Sequence, residues 1–179
     1  MLQIKIPAFE GWDEINEKFV NRKEQTITLE HSLVSISKWE AKYHKPFLSR
    51  VEKTTEETLY YIQAMTITQN VKPEVFDGLT KENILQIQQY IDDPMSATTF
   101  SDKNGSRSSE VVTSELIYYW MVAHRIPWEC QKWHLNRLLN LIKICSIKSQ
   151  PPKKLSRNEL LSRNAALNAA RRKALNTKG

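Results

Sequence analysis

The chain has 179 residues and a formal net charge of +6, with 40% hydrophobic and 26% charged residues. These are the proportions of an ordinary soluble protein with one domain, or one domain and a tail. No apolar run approaches the ~20 residues that cross a bilayer, and residues 1–7 alternate where a secretory signal would have its h-region. Four glycines assemble no glycine-rich phosphate loop, which argues against the common nucleotide-binding folds.

In chain order, Leu2, Ile4 and Ile6 alternate with polar residues at the period of a half-buried strand, and residues 26–30 repeat the pattern with β-branched side chains. The two are expected to pair, with residues 12–25 a polar stretch between them. Ser32 reads as the N-cap of a helix carrying Leu33, Ile36 and Trp39 and stopped by Lys45-Pro46. Thr54 and Glu57 have the spacing of a capping box ahead of Leu59, Ile62 and Met65. Pro73 opens a short helical turn over Val75, Phe76 and Leu79. Thr80 caps the next helix, whose apolar stripe is read as Ile84, Leu85, Ile87 and Ile91. Residues 96–100 are expected as a short third strand and residues 101–109 as a surface loop.

Helical character resumes at Thr113-Ser114-Glu115 and breaks at Ile126-Pro127. Pro127 suits the first position of a helix over residues 128–145. Pro151-Pro152 marks a boundary, and Ser156 with Glu159 forms a second capping box before an Ala- and Arg-rich helix. The fold expected is mainly α: a compact helical domain over residues 1–150 with a small N-terminal β element, and an appended basic C-terminal helix over residues 151–179.

Charge is divided along the chain. Residues 132–179 hold twelve Lys or Arg and one acid, a local charge of +11, while residues 1–131 sum to −5. Such a split points to an interaction tail for nucleic acid or an acidic protein surface, against the plainer reading of a solvated helix face. The basic candidates for partner contact are Lys153, Lys154, Arg157, Arg163, Arg171, Arg172 and Lys173. No aromatic residue follows Trp133, which disfavours single-strand binding by base stacking and leaves phosphate or acidic-protein contact.

The second group of candidates is aromatic: Tyr118, Tyr119, Trp120, Trp128 and Trp133. Five large rings in so short a segment make either a helix-hairpin core or a partner-binding face. Cys130 and His134, four apart on the expected helix, share a face and could ligate zinc with His124. A fourth ligand is missing and no Cys-x-x-Cys spacing exists, so core packing is the better reading. Cys130 and Cys145, the only cysteines, would lie about 22 Å apart along one helix, beyond disulfide reach, as reduced thiols of a cytosolic protein. Glu56-Glu57 and Asp92-Asp93 sit at helix ends, and His31-Ser32 lacks a strained nucleophile turn. No enzyme chemistry, cofactor or metal is therefore expected.

The strings Leu29-Glu30-His31-Ser32-Leu33-Val34-Ser35-Ile36-Ser37-Lys38-Trp39-Glu40, Lys45-Pro46-Phe47-Leu48, Tyr118-Tyr119-Trp120-Met121, Ile126-Pro127 and Glu129-Cys130-Gln131-Lys132-Trp133-His134-Leu135-Asn136-Arg137-Leu138 resemble a family of small tail-module proteins of tailed bacteriophages, the tail assembly chaperones. Pro151-Pro152-Lys153-Lys154, Arg163-Asn164-Ala165-Ala166-Leu167-Asn168 and Asn176-Thr177-Lys178-Gly179 fit as well, so the resemblance runs from about residue 26 to the last residue. It implies a non-enzymatic protein that attends the tape-measure protein in the host cytoplasm while the tail tube polymerises. The alternative is a minor virion protein of the tail, baseplate or neck; a basic nucleic-acid-binding module is a third reading. The implied partners are the tape measure or the tube and baseplate proteins. Homo-oligomerisation stays open, and no membrane is involved.

Overall fold

Ile4, Ile6, Ile27 and Leu29 give two short strands an apolar face each, and all four side chains are fully buried. The computed structural model describes residues 1–13, 18–98, 111–150 and 157–177. In it, β1 (Leu2–Ile6) pairs antiparallel with β4 (Gln25–Leu29), Leu2 opposite Leu29 and Ile6 opposite Gln25. The far edge of β4 is closed by the chain that follows the second helix: Ile67 N–H donates to Thr28 O at 2.8 Å and Glu30 N–H to Met65 O at 2.9 Å. The polar stretch between the strands holds a second hairpin that the sequence reading missed. In it, β2 (Phe9–Asp13) runs against β3 (Lys18–Arg22), with Trp12 opposite Phe19. Arg22 at its base reaches Glu74 O at 3.4 Å.

The rest is mainly helical. α1 (Leu33–Tyr43) starts at Ser32, whose hydroxyl accepts the Ser35 N–H, and ends at His44 in the left-handed region (φ 52°). α2 (Thr55–Met65) has the Thr54–Glu57 capping box in full. The Lys45 ammonium, 2.6 Å from Glu57, and then the Thr54 N–H hold the Glu57 carboxyl below its usual value, against its partial desolvation. Pro73–Gly78 forms a short 3-10 turn. α3 (Lys81–Asp92) is capped by Thr80, but its buried face is Asn83, Ile87 and Tyr90. Ile84 and Leu85, read as core, are exposed. Asn83 completes the Thr80 cap and also donates to Lys5 O at 3.4 Å. That double anchor turns the helix so that its polar N3 residue faces β1. Residues 96–98 form no strand; 99–100 and the expected loop lie outside the described residues.

α4 (Ser114–Ala123) follows. The single helix expected over residues 128–145 is two elements. Trp128–Lys132 is a 3-10 turn and α5 (Leu135–Ser149) begins after it. Pro127 precedes the turn with extended ψ (141°) and is not its first helical residue. The break has a tertiary cause. His134 forms an isolated antiparallel bridge with Ser32, and Leu135 N–H donates to His31 O at 2.7 Å. A continuous helix would forfeit both.

The chain divides into two units, Met1–Ser146 and Ile147–Gly179. The first has one core, in which the four strand residues meet Leu33, Ile36 and Trp39 of α1, Ile62 and Met65 of α2, Ile117 and Met121 of α4, and Leu135 and Leu138 of α5. Each such side chain contributes about 1.5–3 kcal/mol by leaving water. The second unit carries α6 (Arg157–Leu175), 19 residues long with no buried residue. The expected boundary at Pro151-Pro152 and the Ser156 half of the second capping box lie outside the described residues. No helix among the described residues is long and apolar enough to cross a membrane.

Candidate functional site

The aromatic segment is not the core of the protein. α4 reads Ser-Glu-Leu-Ile-Tyr-Tyr-Trp-Met-Val-Ala, apolar almost all round, yet only Ser114, Ile117 and Met121 are buried. A helix apolar on every side is ordinarily enclosed. Here Tyr119 is 65% exposed and Trp128, on the following turn, 54%. Tyr118, Trp120 and Trp133 are half-buried against the core. Tyr118 and Trp128 rings lie 5.5 Å apart, and Tyr118 donates to Gln131 Oε1 at 3.0 Å. Burial pushes the Tyr118 phenol up. Arg137 sits 4.4 Å over the Trp133 ring, within the range of a cation–π contact. The five predicted rings thus spread over α4, the 3-10 turn and the residue that caps that turn as a partly solvated apolar surface.

The basic residues divide in two. Arg157, Arg163, Arg171, Arg172 and Lys173 all lie exposed on α6. Lys153 and Lys154 are outside the described residues. At 100° per residue the five α6 bases fall around the whole circumference. They form no single stripe of the kind that tracks a phosphate backbone. Leu160, Leu161, Leu167 and Leu175 gather on one side and are all exposed. A helix this polar gains little from its own burial and is marginal unless a partner holds it.

The helix face expected to be shared by Cys130 and His134 is corrected. Cys130 is in the 3-10 turn and His134 in the bridge to Ser32, not on one helix face. Among the described residues no group of three or more His, Cys, Asp or Glu converges on a metal position. The two cysteines lie on separate elements, Cys130 in the 3-10 turn and Cys145 on α5, and burial, ahead of Glu129, raises the Cys130 thiol.

A buried polar network was invisible in the sequence. His31 Nδ1 meets the Tyr61 hydroxyl, which also lies 3.4 Å from Ser35 Oγ. The His31 and His134 rings are 5.1 Å apart. His134 Nε2 is 2.9 Å from Tyr90 O, and Asn136 N–H donates to His134 Nδ1 at 3.3 Å. The Tyr90 carbonyl at one nitrogen and the Asn136 N–H at the other hold the His134 ring in one orientation. Tyr90 donates to Glu30 Oε1 at 2.6 Å. Burial, then the facing His134, lowers His31 to about 4, with Asp92 pulling upward. Desolvation pushes the Tyr61 phenol far up. All six side chains, Glu30, His31, Ser35, Tyr61, Tyr90 and His134, are buried. Their chemistry is that of a satisfied polar core, which fixes one packing of α1, α2, α3 and α5.

The functional geometry of the described residues is therefore two exposed surfaces, the aromatic one on α4 and its neighbours and the basic one on α6, each considered within its own unit. Compared with protein-family models, curated proteins and solved structures, the chain has no match.

Proposed function

We propose that this chain is a non-enzymatic tail assembly chaperone of a tailed bacteriophage, acting on the tape-measure protein before the tail is complete. The observation that carries the interaction role is α6: 19 residues with none buried, five bases against one acid, and four exposed leucines on one side. Such a helix suits contact with the acidic, amphipathic helical surface of a client, and its ordering on contact accounts for a composition that contributes so little to folding. The resemblance of the strings from residue 26 onward supplies the setting and the client.

Quantitative mass spectrometry of infected cells and of purified virions from a phage encoding this chain tests the proposal. The expected result is abundance in the lysate and absence from the virion. Stoichiometric presence in the virion overturns the chaperone reading and leaves a structural tail, baseplate or neck protein.

A further inference from the structure

The outward face of α4 has a charge pattern that is complementary to itself. On a helical projection Glu115, Tyr119, Val122 and Ala123 lie together, opposite the buried Ile117 and Met121. All four are exposed, with Val122 at 60%. The only charge among them is Glu115, in the first turn. Arg125, also exposed, stands just past the other end of the helix. It is held there in the left-handed region (φ 54°) by its own N–H donating to Val122 O at 3.0 Å. Neither Glu115 nor Arg125 has an ion-pair partner among the described residues. The face is thus an apolar strip about 15 Å long with an anion at one end and a cation at the other.

We infer that this face takes a second copy of the same chain, packed antiparallel about a two-fold axis near residue 120. In that arrangement Tyr119 of each copy meets Tyr119 and Val122 of the other. Glu115 of each copy comes to Arg125 of the other, so both ends are neutralised by one operation. The helix dipoles run antiparallel as well, which places each negative C-terminal end beside a positive N-terminal one. Trp128, packed at a tilt against Tyr118 beside this strip, extends the apolar area toward what a stable interface needs. α6 could not serve in this way, because its excess of bases would face the same excess in a second copy.

Sedimentation equilibrium of the full chain at micromolar concentrations tests the inference. The expected species is a dimer. Tyr119→Glu, and independently Val122→Arg, raise the dissociation constant about tenfold or more. Glu115→Arg and Arg125→Glu each weaken the dimer, and the two together restore it. Every substituted position is exposed, and a cooperative melt confirms that each variant is folded. A monomer at all concentrations, a dimer indifferent to Tyr119→Glu, or a double variant that fails to recover overturns the inference. A monomer that loses tape-measure binding on Tyr119→Glu also overturns it and gives the face to the client.

Discussion

Glu40 Oε2 accepts the Ser114 backbone N–H at 2.8 Å and so joins α1 to the first residue of α4 across 74 positions of sequence. Its other oxygen accepts Phe47 N–H, also at 2.8 Å. Glu40 is buried. The Ser114 N–H is one of the donors a helix start leaves unpaired, and a carboxylate there also meets the positive end of the dipole. Glu40→Ala strands two buried N–H groups and is expected to cost about 2–4 kcal/mol. Glu40→Gln keeps one acceptor and should recover about half of that. Urea denaturation of both variants measures it; an effect of Glu40→Ala within error of zero would show that water takes over both donors.

His31 predicts a pH dependence. In the fold its imidazole titrates at about 4, and in the unfolded chain near 6.5. The unfolded chain therefore takes up the proton first as pH falls. The stability this residue contributes is complete above about pH 6.5 and drains away toward pH 4, on the order of 3 kcal/mol in total. Urea midpoints across that window should fall for the wild type and flatten for His31→Gln. Equal slopes in the two proteins would refute the assignment.

Removal of the chain after Gln150 should leave the first unit with its cooperative melt nearly unchanged. That unit already ends at Ser146, and none of the α6 residues removed is buried. Calorimetry of the truncated chain checks this, and loss of the transition would place the tail in the core.

The distribution of bases around α6 predicts weak, shallow DNA binding. A site contacting six or more phosphates gives a log–log slope with salt of about −5 or steeper. Fluorescence anisotropy of labelled duplex against salt is expected to stay well short of that. A steep slope would assign the tail to nucleic acid.

Much of the fold was legible because it is written locally. Ser32, Thr54 and Thr80 each cap the helix they were expected to start, since a capping hydroxyl three residues from its partner needs no tertiary context. The β1–β4 pair showed in its alternation. What the sequence hid depends on distant partners. The helix expected from Pro127 is interrupted at His134 by Ser32 and His31, and nothing between residues 128 and 145 records that. The β2–β3 hairpin was hidden for a different reason. It presents Phe9, Trp12 and Phe19 to solvent and so lacks the buried alternation by which strands are recognised. Of the candidate surfaces, the bases on α6 were legible because exposure is the default for arginine. The half-solvated state of the α4 rings was not, because an aromatic-rich segment is as much the signature of a core as of an interface.

The bond from Leu135 N–H to His31 O has a bearing on synthesis. The seam beside the N-terminal strands is completed by a residue made late. While the ribosome still holds that residue, the His31 carbonyl ahead of α1 lacks its donor, and the core is without Leu135, Leu138 and Ile142 of α5. The body therefore cannot mature in the order in which it emerges; the nascent chain carries an unsealed core until α5 has left the exit tunnel. Folding of this protein is set by the arrival of its last core helix, and α6 follows only after the body is able to close.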